Sequence, residues 1–204
     1  MIRYLKNHEI DKEKWDKCIS SSPNSIIYAY SWYLDIVAQN WEALVEDDYI
    51  SVFPLPLNKK FGIKYSLQPY WTQQLGLFSS SSISSEKLNE FLNSIPKTYL
   101  FYQINLNSFL KFAPIRDIEF VENKNYCLDL IYTYEVLYSS YSKNLRRNLN
   151  SSKGKLNILK NSNIESVVDL FKKGRGKEIS NLGDYGYRLL IQLIYKAQYL
   201  NFAE

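Results

Sequence analysis

Apolar positions change their period several times along this chain of 204 residues, and the changes divide it into elements. Ile2 to Leu5 alternates apolar with basic or aromatic residues and predicts an opening strand. From Asp11 to Cys18 the spacing turns helical. Trp15, Cys18 and Ile19 fall on one face, and Asp11 stands where an N-cap belongs. A second helix is predicted over Tyr30 to Gln39, capped by Ser31, with Trp32 and Ile36 leading its buried stripe beside Tyr33 and Val37. Trp41 to Val45 and Tyr49 to Pro54 predict two strands turned by Glu46-Asp47-Asp48. Pro54 and Pro56 place the second of these at a strand end, an edge or a bulge. Asn58-Lys59-Lys60 reads as a polar turn before a strand over Lys64 to Tyr70.

The serine run Ser79 to Ser85 predicts a loop that can cap a helix over Ser85 to Ser94. Leu88, Phe91, Leu92 and Ile95 mark that helix's apolar side, and Pro96 ends it. Tyr99 to Leu106 is the clearest alternation, hence a strand. Asn107 to Arg116 suggests a short helix with a turn at Pro114, and Ile118 to Val121 with Tyr126 to Leu130 suggests a strand pair. Ile131 to Ser151 is the longest helical pattern, with Thr133 as N-cap and Val136, Leu137, Tyr141, Leu145 and Leu149 at helical spacing. Lys155 to Leu159 predicts a short strand, and Asn163 to Lys173 a helix burying Ile164, Val167, Val168 and Phe171. Gly174-Arg175-Gly176 breaks it, and Tyr187 to Leu200 forms a last amphipathic helix through Leu190, Ile191 and Ile194. The fold class is therefore mixed α+β, with a mostly antiparallel central sheet flanked by helices.

Composition adds two points. Hydrophobic residues make up 46% and aromatics 16%, including eighteen Tyr, so the core and its rim are aromatic. The net charge is only +4, but Ser142 to Lys177 holds ten Lys/Arg against Glu165 and Asp169, a local +8 on a body of −4. Such a segment suits an anionic partner, or is a solvated helix face. Cys18 and Cys127 form no metal or disulfide spacing. His8 is the single histidine, which argues against a His-based triad or metal site, and no metal is expected. No run approaches membrane-span length, and a cytoplasmic location is the default expectation.

Two stretches carry candidate chemistry. Lys143, Arg146, Arg147 and Lys153 can meet phosphates of RNA or of another phosphate-bearing ligand, with Tyr138 and Tyr141 placed for base stacking. The alternative is a surface helix docked by its apolar stripe. Gln73, Gln74 and Gly76 open a Gln-Gln-Leu-Gly-Leu-Phe stretch that can cradle a pyrophosphate on backbone N–H groups, although Phe78 crowds it; a turn belonging to the fold is the other reading. Gly174-Arg175-Gly176-Lys177 follows a helix and is too short for a P-loop, and Asp47-Asp48 reads as surface.

The element order resembles that of GNAT-type acyltransferases. Ser142-Lys-Asn-Leu-Arg-Arg-Asn-Leu149 is similar to the helix that leads out of the first half of tandem-GNAT, Fem-type (FemAB-like) aminoacyltransferases. Phe53-Pro-Leu-Pro56, Gln68-Pro69 and Gln73-Gln-Leu-Gly76 are similar to their first half as well. The resemblance implies a GNAT-like domain over 1–152 and the incomplete beginning of a second over 153–204, unless that segment packs on the first domain in another way. It implies transfer of an acyl or aminoacyl group to an amine acceptor, with acetyl-CoA or aminoacyl-tRNA as donor and Gln73, Gln74 and Gly76 near the cofactor. A non-catalytic module that binds RNA or another anionic partner through 141–153 is the alternative. A C-terminal helix face at Leu190, Ile194 and Tyr195 left without its sheet would favour a homodimer.

Overall fold

The structure, a computed structural model, describes residues 1–111, 114, 117–155, 163–179 and 182–203. It divides into two compact units, one formed by Met1–Phe120 with Ile164–Ala203 and one by Val121–Asn163.

The first unit runs β1 (Ile2–Leu5), α1 (Lys12–Ser21), α2 (Ser31–Val37), β2 (Glu42–Glu46), β3 (Ser51–Leu55), β4 (Asn58–Lys60), β5 (Ile63–Leu67), β6 (Phe78–Ser79), α3 (Ser85–Asn93) and β7 (Tyr99–Gln103). It closes with α6 (Ile164–Lys173) and α7 (Gly183–Tyr199). The central sheet has the order β1-β2-β3-β6 and is antiparallel at every pair. A second sheet, β4-β5-β7, joins an antiparallel hairpin to a parallel neighbour. The protein is thus α+β with antiparallel pairing dominant.

The central sheet is a middle layer because β2 is apolar on both sides. Ala43 and Val45 face a cluster with Trp15, Ile19, Leu34 and Val37 from α1 and α2. Leu44, paired in register with Phe53, faces the opposite cluster with Leu88 and Phe91 of α3. Period-2 alternation sends neighbours to opposite faces, so one short strand serves two cores.

α1 follows its spacing: Asp11 accepts from Lys14 N at 3.1 Å, and Trp15, Cys18 and Ile19 are buried. α2 is shorter than its pattern, and its cap comes from elsewhere. Ser31 N and Oγ both donate to the Asp16 carboxylate at 2.7 Å, so α1 supplies what Ser31 was expected to supply. Its buried side is Tyr33, Leu34 and Val37, with Trp32 and Ile36 at the margin. Asn58–Lys60 is strand β4 rather than a turn; the reversal falls at Phe61 and Gly62, both at positive φ. Pro54 sits within β3 opposite Ala43, but the ladder to β6 stops at Val52. Pro54 therefore lies where a missing N–H is tolerated. Beyond β7 the chain re-pairs through a parallel bridge between Leu75 and Leu106. The short helix expected after Asn107 is replaced by a turn at Ser108 and Phe109, with residues 112, 113, 115 and 116 of that stretch outside the described ones.

α6 and α7 pack within the first unit. Leu193 enters the central core cluster, and Trp71 Nε1 donates to Gly186 O at 2.7 Å. α7 starts four residues ahead of its expected start at Tyr187, and it buries Tyr187, Leu189 and Leu193. Leu190 and Ile194 lie partly buried against Ile164 and Val168, whereas Val167 is exposed rather than buried. Tyr195 is half-exposed and donates to Glu165.

The second unit contains α4 (Tyr134–Ser140) and α5 (Lys143–Ser152) where one long helix was expected. The break is at Tyr141, in extended conformation. Ser139 and Ser140 bond back to the carbonyls of Val136 and Leu137, which closes α4, and Ser142 accepts from Leu145 N to open α5. Hydroxyls that compete for backbone groups end helices in this way. Ile118 to Val121 and Tyr126 to Leu130 carry no strand; Tyr126 is 90% exposed, and neither segment finds a partner ladder. Of the strand expected over Lys155 to Leu159, residues 156–159 lie outside the described residues. No helix among the described residues is long and apolar enough to cross a membrane.

Candidate functional site

Gln73, Gln74 and Gly76 are brought together, in a seam with the segment after β7. Leu75 N donates to Asn105 O and Asn107 N to Leu75 O, both at 2.8 Å. Gln74 Oε1 accepts from Ser108 N at 3.0 Å, and Asn105 Nδ2 donates to the Gln73 carbonyl at 3.2 Å. Gly76 holds φ +111°, and a Cβ there would stand 2.9 Å from Leu110 Cδ1 and 3.0 Å from Leu106 Cδ2. The space that glycine leaves at this strand is filled by two leucines. Gln68 joins the same seam by accepting from Asn105 N at 3.0 Å.

Lys143, Arg146, Arg147 and Lys153 lie on or just beyond α5, all exposed. Ser142 starts the helix and thereby sets their phase. Arg147 Nη2 donates to Asn144 Oδ1 at 2.7 Å. Tyr134, Tyr138 and Tyr141 stand beside them as a ladder, with ring centroids 5.8 and 6.0 Å apart. Tyr138 Oη donates to Asn150 Oδ1 of α5 at 3.2 Å.

A third constellation has no counterpart in the sequence reading. Glu42 of β2 is 4% exposed. Its Oε2 accepts from Tyr4 Oη of β1, from Tyr99 Oη of β7 at 2.5 Å and from Lys64 Nζ of β5 at 3.2 Å. Its Oε1 accepts from Lys64 Nζ at 3.0 Å. The Lys64 ammonium also lies 5.8 and 5.7 Å from the centres of the Tyr4 and Tyr99 rings. Burial pushes the Glu42 carboxyl up, but the hydrogen bonds from Tyr4, Tyr99 and Lys64 outweigh it and hold the group below its ordinary value. Burial, reinforced by the bond to Glu42, drives the Tyr99 phenol far upward. For Lys64, burial works downward, and the bonds to Glu42 and Tyr4 overcome it. Each shift favours the ion pair with neutral phenols, so the cluster joins the two sheets and does not poise a proton for transfer near neutrality. One signal was present in the sequence: a single carboxylate between Trp41 and Ala43 in an apolar strand needs partners.

Among the described residues no group of three or more His, Cys, Asp or Glu is placed to hold a metal ion. The class that fold and sites define is an α+β protein with one sheet-bearing unit and one small helical, cationic unit. No protein-family model, curated protein or solved structure matches the chain.

Proposed function

We propose that the first unit carries an acyltransferase-type fold of the GNAT kind and serves transfer of an acyl or aminoacyl group to an amine. What supports the reading is its order of elements. A strand, two helices and the antiparallel pair β2–β3 are followed by β4, β5 and β6, and α3 then crosses over to β7, which runs parallel to β5 and continues to the parallel bridge between Leu75 and Leu106. The resemblance implies a strand, two helices, three strands, a helix and a strand, then a further helix and strand; the first part is followed with β4 and β6 added, and Ile118 to Val121 and Tyr126 to Leu130 form no strand. In the transfer, the amine nitrogen bonds the acyl carbon, the carbon–sulfur bond of a thioester donor breaks, and the amine proton leaves with the thiol. With an aminoacyl-tRNA donor the ester carbon–oxygen bond breaks instead, and the amine proton leaves with the terminal hydroxyl of the tRNA.

The donor's phosphates would meet the turn Ser79 to Ser84 ahead of α3, where Ser84 already caps Lys87 N at 3.2 Å. Gln74 and Gly76 lie at the foot of the same strand and would support that turn from the seam with Asn105 to Ser108. Calorimetric titration with acetyl-CoA and CoA tests the proposal, with melting temperature as a second readout. Saturable binding and a raised melting temperature are expected. No heat and no shift at millimolar ligand would remove coenzyme A as the donor.

A further inference from the structure

The α4–α5 element has a composition and geometry that the proposed acyl transfer does not use. From Val136 to Asn163 there is no Asp or Glu, while Lys143, Arg146, Arg147, Lys153, Lys155 and Lys160 are present. At about 100° per residue, Lys143, Arg146, Arg147 and Asn150 share an arc of about 100°, and Leu145 and Leu149 lie outside it. Tyr138 Oη donates to Asn150 Oδ1, which joins the tyrosines to the last turn of that arc. Tyr134 and Tyr141 flank Tyr138 at interplanar angles of 41° and 61°. In such pairs the edge of one ring meets the face of the next, so each contact takes up one face and leaves the other; Tyr134 is exposed, and Tyr138 and Tyr141 are half-buried. None of Lys143, Arg146, Arg147 or Lys153 makes an ion pair among the described residues.

We propose that this face binds single-stranded nucleic acid, its phosphates on the cationic arc of α5 and its unpaired bases on the Tyr134–Tyr138–Tyr141 ladder. Charge complementarity selects a polyanion, and the ladder selects among polyanions. Heparin and anionic lipid surfaces present no planar rings to stack. A duplex keeps its base faces covered, and only an unpaired strand offers phosphates and open bases together. The proposal stands apart from acyl transfer, since it concerns the second unit alone.

The test is fluorescence anisotropy of the full chain with a labelled oligo(U) strand, a hairpin duplex of equal charge, and heparin as competitor. Single-strand binding is expected to exceed duplex binding at least about tenfold. With three or four phosphates neutralised, raising salt fourfold should weaken it about 20- to 50-fold. Arg146→Ala with Arg147→Ala should weaken binding and flatten the salt dependence. Tyr134→Leu with Tyr141→Leu should lose at least about tenfold for the single strand while heparin affinity stays within about twofold. Tyr138→Phe keeps the ring and should stay near wild type. No single-strand binding at low salt, equal affinity for the duplex, or indifference to either double substitution would overturn the proposal. Tight heparin binding with no effect of the tyrosine changes would mark the face as a polyanion surface only.

Discussion

Replacing Glu42 with Gln isolates the charge at the junction of the two sheets. The side chain keeps its shape and one acceptor oxygen. If that oxygen takes the Oε2 position, it still serves Tyr4 and Tyr99, but the new amide nitrogen then faces the Lys64 ammonium, donor against donor. Hydrogen bonds to a charged acceptor contribute about 1.5–3 kcal/mol and neutral ones about 0.5–1.5 kcal/mol. Weakening two tyrosine bonds by about 1 kcal/mol each and losing the lysine pair gives a cost of about 3 kcal/mol. The residual exposure of Lys64, 23% for its side chain, keeps the figure below the about 3–5 kcal/mol of a fully buried broken pair. Urea unfolding followed by tryptophan fluorescence measures it, because Trp15 and Trp41 are wholly buried. Adding Lys64→Met should recover part of the loss, since it removes the unpaired ammonium.

The pH dependence supplies a second check. The folded Glu42 carboxyl titrates below its ordinary value. Its stabilising contribution is therefore full above that ordinary value, near about 4.3, and is lost as pH falls through the folded value. The gap between wild type and Glu42→Gln should be widest near neutrality and narrow in acid. A cost under about 1 kcal/mol at neutral pH, or a gap that does not change with acid, refutes the assignment of a charged, triply bonded carboxylate.

Three further outcomes are expected. Gly76→Ala forces a side chain into φ +111° against Leu106 and Leu110, so it should cost about 1–3 kcal/mol in denaturant unfolding, and a neutral result would contradict the seam. Trp71→Phe keeps an aromatic ring near Phe171 but removes the side-chain donor to Gly186 O, so amide exchange should speed up in α6 and α7 and not in β2 or β3. Burial drives the Tyr33 and Tyr99 phenols far above the ordinary value of about 10, so the stability they lend is present below about pH 10 and lost as pH rises beyond it. Their tyrosinate absorbance should appear only with unfolding, which parallel absorbance and fluorescence titrations will show.

The sequence made local elements legible wherever a cap and a periodic stripe coincide. α1 is the clear case, with Asp11 and the Trp15, Cys18, Ile19 face, and α3 repeats it with a serine cap before Leu88, Phe91 and Leu92. It was less informative where a distant group decides the outcome. The Asp16 carboxylate that caps α2 comes from fifteen residues away, and the partners of Glu42 come from three other strands. Neither leaves a local pattern. Tyr126 to Leu130 has the alternation of a strand, but alternation marks only a face that can be buried. The break at Tyr141 was written in the serines beside it, which compete with a helix they also populate.

Charge divides the two units less sharply than it divides the linear sequence, but in the same direction. Val121–Asn163 holds seven Lys/Arg and three Asp/Glu, a net +4. The rest of the chain keeps eighteen of each and is neutral. The first unit spends charge in pairs that join its elements, such as Lys64 with Glu42 and Lys87 with Glu46. On α5, Lys143, Arg146 and Arg147 have no such partner among the described residues and stand exposed beside tyrosines. A solvated cationic surface contributes little to folding, and like charges gathered on one helix oppose it. Their arrangement therefore costs the second unit stability that an external anion would return. Added polyphosphate or oligonucleotide should protect amides of α4 and α5 from exchange and leave those of the central sheet as they were.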